Sequence, residues 1–231
     1  MHKTSSIKIK NGFSLLELSI VLTIIGLLVG GILVGRALIR ASEVRSVVSD
    51  VNRLKTEIST FRLKYGTLPG DAINASTYLG GSAVNGNNNS QIDYLLGLPG
   101  EEYYAWQHLA LAKMTAGDYD GSTTNLPKSR ISNGFYRISY QTNVYGKSGN
   151  MISFNALNQT FSLAHDPILN PADAHSIDGK LDDGLADKGR VLAFNPEGVP
   201  GCVTNDYTAG SGDYILTNNS VLCKMFFILE Y

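Results

Sequence analysis

The residues able to do chemistry in this 231-residue chain are few and unevenly placed. Glu17 is the single charge in the 23 residues from Phe13 to Gly35. A lone carboxylate in such an apolar run is costly in lipid unless it is neutralised or paired. It calls for a positive partner; the competing reading sets Glu17 at the bilayer edge, where it reaches water. Farther along, Asp173, Asp178, Asp182, Asp183 and Asp187 crowd one Gly-containing stretch that reads as a loop. Carboxylate oxygens suit a hard cation such as calcium, with Asp178, Asp182 and Asp183 as candidate ligands. The spacing is not that of an EF-hand, and a solvated acidic turn accounts for the same residues. Cys202 and Cys223 are the only cysteines, and an even count in an exported domain reads as a disulfide, the alternative being two buried thiols. The four histidines, His2, His108, His165 and His175, are scattered. His165 beside Asp166, and His175 near Asp178, are arrangements that in loops usually make surface hydrogen bonds. No HExxH, GxSxG, CxxC or phosphate-loop pattern is present, so no enzyme is expected.

The elements that position these groups follow from hydrophobic patterning. At about 1.5 Å per residue, a helix from Phe13 to Gly35 is about 34 Å long and can cross a bilayer. A secretory signal has a shorter apolar core and a small-residue cleavage site, and a buried core helix rarely holds an uncharged run like Leu18 to Gly35. Lys3, Lys8 and Lys10 precede the run while Arg36, Arg40 and Arg45 follow it, so charge counting leaves the orientation open. The cysteine pair favours an oxidising compartment for the C-terminal region. Val44, Val47, Val48, Val51, Leu54, Ile58, Phe61 and Tyr65 then recur every three or four residues, continuing the helix on one apolar face. Gly66, Pro69 and Gly70 supply a stop, so one helix is expected over residues 13–65.

Beyond it, a single globular core is expected on length, and the chain is 43% hydrophobic and 17% charged, as folded proteins are. Gly80 to Ser90 reads as a mobile surface loop. Glu101 to Lys113 reads as a short helix with Trp106 in the core. Strands are expected at Phe135–Thr142, Met151–Phe154, Thr160–Leu163, Arg190–Phe194 and Leu222–Leu229, forming an antiparallel sheet against the long helix. Without residues 1–12, which hold three lysines and no acid, 16 basic face 20 acidic residues, so no nucleic-acid binding is expected.

The segment Lys10-Asn11-Gly12-Phe13-Ser14-Leu15-Leu16-Glu17-Leu18-Ser19-Ile20-Val21-Leu22 closely resembles the processing site and first helix of type IV prepilins and type II secretion pseudopilins. The resemblance covers roughly residues 8–35. It implies a leader over residues 1–12, cleavage by a prepilin peptidase between Gly12 and Phe13, and N-methylation of Phe13. It also implies that Glu17 pairs with the processed N-terminus of a neighbouring subunit. The implied fold is α+β and lollipop-shaped, a long N-terminal helix packed on an antiparallel-sheet head. Residues 13–40 would form the transmembrane and filament-core half of the helix, 41–65 its amphipathic half and 66–231 a periplasmic head. Gly26, Gly30, Gly31 and Gly35 would let helices approach closely in a bundle, unless they are incidental. The Cys202–Cys223 pair is similar to the C-terminal disulfide of pilins, and major pseudopilins carry a calcium site late in the head. Val34 stands where major pilins have a proline, which puts a major-subunit role in question. The implied partners are other pilin or pseudopilin subunits, the prepilin peptidase, the assembly platform and the inner membrane, with no cofactor beyond a structural calcium ion. A type IV pilus subunit is the leading expectation, a type II secretion pseudopilin the nearest rival, and a membrane-anchored periplasmic enzyme or binding protein the alternative of another class.

Overall fold

The computed structural model describes residues 14–94, 99–156, 166–196, 198–205 and 212–230. The elements run α1 (Leu15–Tyr65), α2 (Ala75–Tyr78), α3 (Glu101–Leu111), β1 (Gly134–Val144), β2 (Lys147–Ala156), α4 (Pro171–Leu181), β3 (Val191–Phe194) and β4 (Lys224–Ile228). By contacts the chain divides into two compact units, Met1–Ser42 and Glu43–Tyr231.

In the first unit α1 has no core to join: Leu15, Leu16, Leu27 and Leu28 are all more than half exposed. An 18-residue window of α1 has a mean hydropathy of 2.6, long and apolar enough to cross a membrane. Ser19 and Thr23 sit in this run, but their hydroxyls donate to the carbonyls of Leu16 and Ser19 at 2.9 Å each, leaving no unmade hydrogen bond for lipid to expose.

In the second unit the same helix becomes one-sided. Val44, Val47, Val51, Leu54, Ile58 and Phe61 are buried at spacings of three and four, as the pattern predicts, with Val48 and Tyr65 packed at the margin. The helix ends at Gly66, whose φ of +73° is a left-handed cap that a side chain would strain; its N–H donates to the Arg62 carbonyl at 2.8 Å.

The head sheet is wholly antiparallel, in the order β1-β2-β4-β3. Side chains alternate across it. Tyr136, Ile138, Ile152, Phe154, Val191, Met225 and Phe227 share one core cluster with the α1 residues, while Met151, Leu192, Phe194 and Phe226 cluster on the other face with Val144 and Tyr145. Tyr136 reaches from β1 to α1, donating its hydroxyl to Asp50 at 3.3 Å. Trp106 is fully buried, as expected for the α3 core residue. The expected strand at Thr160–Leu163 lies outside the described residues.

Two expectations need correction. The aspartate-rich stretch is not one loop: Asp173 and Asp178 lie on α4. Asn170 caps that helix by accepting the Asp173 N–H at 2.8 Å, and Pro171 opens it. The loop around Gly80–Ser90 is on the surface but tightly held. Asp71 accepts the N–H groups of Asn89 and Ser90, each at 2.9 Å, and Glu101 accepts those of Asn87 and Asp93 at 2.8 and 2.9 Å. Gly86 runs so close to this turn that a Cβ would lie 2.3 Å from the Gly70 carbonyl oxygen.

Candidate functional site

The first candidate site is the start of α1. Gly12 and Phe13 lie outside the described residues. Ser14 and Glu17 make a reciprocal cap: the Ser14 N–H donates to Glu17 Oε2 at 2.8 Å, and the Glu17 N–H donates to Ser14 Oγ at 3.2 Å. This is a capping box, in which two of the helix's orphan donors are satisfied by side chains three residues apart. The acid of the apolar run is therefore held back on its own helix start. Ser14 was missed by reading the residues one at a time; the Ser-Leu-Leu-Glu spacing was the signal. A Cβ placed on Gly26, Gly30, Gly31 or Gly35 would meet nothing within 4 Å, so all four leave backbone open to approach.

The second candidate lies where α4 meets β3. Asp178, Asp182 and Asp183 each offer a carboxylate oxygen within 4.8 Å of the others. Asp178 is fully buried, accepting from the Tyr214 hydroxyl at 2.8 Å and the Gly184 N–H at 3.2 Å. Burial pushes its carboxyl up to about 7; these two hydrogen bonds pull it down, and the neighbouring charges of Asp183 and Asp182 add to the rise. Asp182 is turned toward β3, accepting from the Arg190 and Val191 N–H groups, and Asp183 accepts from the Leu185 N–H at 2.9 Å. Three convergent hard oxygens, one of them buried, fit a calcium-type cation, which would relieve their mutual repulsion. Asp173 and Asp187 are not members of this set.

Cys202 and Cys223 form the expected disulfide, with Cα atoms 5.0 Å apart and both residues fully buried. Asn195, just past β3, aligns Cys202: its Oδ1 accepts the N–H groups of Gly201, Cys202 and Val203 at 3.1, 2.7 and 3.0 Å. Tyr214, between the cysteines, carries the loop to Asp178.

The described histidines are structural or peripheral. His108 is buried; its Nδ1 accepts the Gly70 N–H at 2.9 Å and its Nε2 donates to the Val84 carbonyl at 2.7 Å, while burial lowers its pKa. His175 meets the Tyr214 ring edge-on at 5.4 Å. His2 and His165 are outside the described residues.

Residues 7–33 match the family model of the prokaryotic N-terminal methylation motif, the signature of type IV pilins and pseudopilins. The match marks residues 7–33 as carrying the signature of a pilin-like structural family. No match was found among curated proteins or among solved structures.

Proposed function

We propose that this chain is a structural subunit of a type IV pilus, made as a precursor, cut by a prepilin peptidase between Gly12 and Phe13, methylated on Phe13 and polymerised through its N-terminal helix. The observation that carries the reading is the methylation motif over residues 7–33, leading into an apolar run to Gly35 whose one charge is Glu17. Before assembly the subunit would sit in the inner membrane with its head in the periplasm, and the disulfide supports an oxidising location for that head. In the filament, the processed amino end of a neighbour would supply the opposite charge for Glu17, while Gly26, Gly30, Gly31 and Gly35 admit close helices. Val34, where major pilins carry proline, supports a minor place in the filament.

A pseudopilin of a type II secretion system is the second reading, favoured by the convergence of Asp178, Asp182 and Asp183. There these residues would hold a structural calcium ion in the head.

Mass spectrometry of the mature N-terminus tests the common core of both readings: an N-methylated Phe13 is expected, and an intact leader or a cut elsewhere would refute it. Immuno-electron microscopy separates them, since a pilus subunit lies on surface fibres and a pseudopilin stays in the periplasm.

A further inference from the structure

The outward face of α1 beyond Ser42 differs from an ordinary solvated helix face. Opposite the buried stripe lie Arg45, Ser49, Asn52, Thr56, Thr60 and Leu63, all exposed and spaced by three or four residues, with no acid among them. The Thr56 hydroxyl donates to the Asn52 carbonyl at 2.9 Å and the Thr60 hydroxyl to the Thr56 carbonyl at 2.7 Å. With their protons committed within the helix, these threonines can be covered without leaving an unmade hydrogen bond. Leu63, 88% exposed, extends the face in apolar form.

Charge indicates what covers it. Residues 43–65 carry five basic and three acidic side chains, whereas residues 66–231 carry nine and sixteen. On α1, Asp50 and Glu57 both pair with Arg53 along one flank, which leaves Arg45 projecting at one end of the face. On the head, Asp118 and Asp120 are exposed in the loop after α3, and no lysine or arginine pairs with either among the described residues. A helix face whose one charge is Arg45 and an acidic head on the same chain attract between copies in the head-to-tail sense, and a heterologous contact of that kind propagates rather than closing.

We infer that this face of α1 receives the acidic head of a second copy, with Arg45 of one subunit opposed to Asp118 and Asp120 of the next. The inference rests on the filament reading above and adds to it a contact outside the membrane-spanning segment.

The test uses the full-length protein in cells, comparing Arg45→Glu, the pair Asp118→Lys with Asp120→Lys, and all three changes together. Each reversal alone is expected to lower filament yield about tenfold or more, because like charges then face each other. The combination is expected to restore yield. N-methylated Phe13 and an intact Cys202–Cys223 bond should persist in every variant. Wild-type yield from Arg45→Glu would overturn the contact. So would failure of the combination to rescue, coupled with weaker retention of Arg45→Glu on vesicles rich in anionic lipid, which would assign Arg45 to headgroups instead. An unmethylated Phe13 in the wild type would instead remove the filament reading itself, and the contact with it.

Discussion

Replacing Glu102 by Gln should make the head more stable at alkaline pH, not less. Glu102 lies on α3 with 2% of its surface exposed, and Arg137 Nε is 3.3 Å from its Oε2. The pair is poorly aligned, since neither atom makes a hydrogen bond. Burial pushes the carboxyl from 4.5 up to about 7, with Arg137 drawing it only partly back. A carboxyl whose pKa is higher folded than unfolded binds more protons in the native state, so its contribution is greatest below pH 4.5 and is lost as pH rises through 7. At 1.36 kcal/mol per pH unit the loss is about 3 kcal/mol. Glutamine is the neutral isostere and does not suffer it. The variant should match the wild type at pH 4 and exceed it at pH 8 by up to about 3 kcal/mol, less whatever Arg137 loses with its anion. Denaturant titrations from pH 4 to pH 8, followed by the fluorescence of Trp106, the only tryptophan, would measure this. A wild type more stable than the variant at pH 8 would mean that the ion pair outweighs desolvation and that the reasoning is wrong.

Other outcomes are equally specific. Gly12→Asp should accumulate as uncleaved precursor with no filaments; normal filaments containing it would refute processing at that bond. Glu17→Gln should be processed yet fail to polymerise, as read by mass spectrometry and electron microscopy on the same cells. Replacing Cys202 and Cys223 together by serine opens a loop of sequence separation 21 and should lower stability by about 3 kcal/mol in denaturant titrations. Calorimetry should detect calcium binding by the wild type and at least about tenfold weaker binding by Asp182→Asn, given the loss of one charged ligand; no heat from the wild type would dismiss the site.

How far the sequence alone reaches is clearest element by element. The long helix was legible because its signal is one-dimensional: an uncharged run, then six buried residues at helical spacing, then Gly66. Four of the expected strands match observed ones to within a few residues, because β-branched and aromatic clusters bounded by turns need no partner to be recognised. Their order did not follow, since β4 inserts between β2 and β3 through pairings that only the folded chain brings together. Helix α4 was hidden by its own composition. Aspartates and Gly179 outweighed the Asn170-Pro171 start signal, although Ala174 and Ile177 carry the buried face. The same weighting of composition over partners made the asparagine-rich loop look mobile, when Asp71 and Glu101 hold it from elsewhere in the head. At the N-terminus the motif singled out Glu17 but not its local partner Ser14.

The placement of Asn195 has a consequence for oxidative maturation. Cys202 is held by the Asn195 amide at the end of β3 and by the Ile215 N–H on its carbonyl at 2.9 Å, while Cys223 leads into β4 and bridges to Leu169. The thiols therefore meet where β3, β4, the Leu169 segment and the loop between the cysteines come together, so the bond closes contacts that the rest of the head also holds. With one pair in the chain there is no wrong pairing within it to undo, so closing the bond calls for an oxidant and no internal reshuffling.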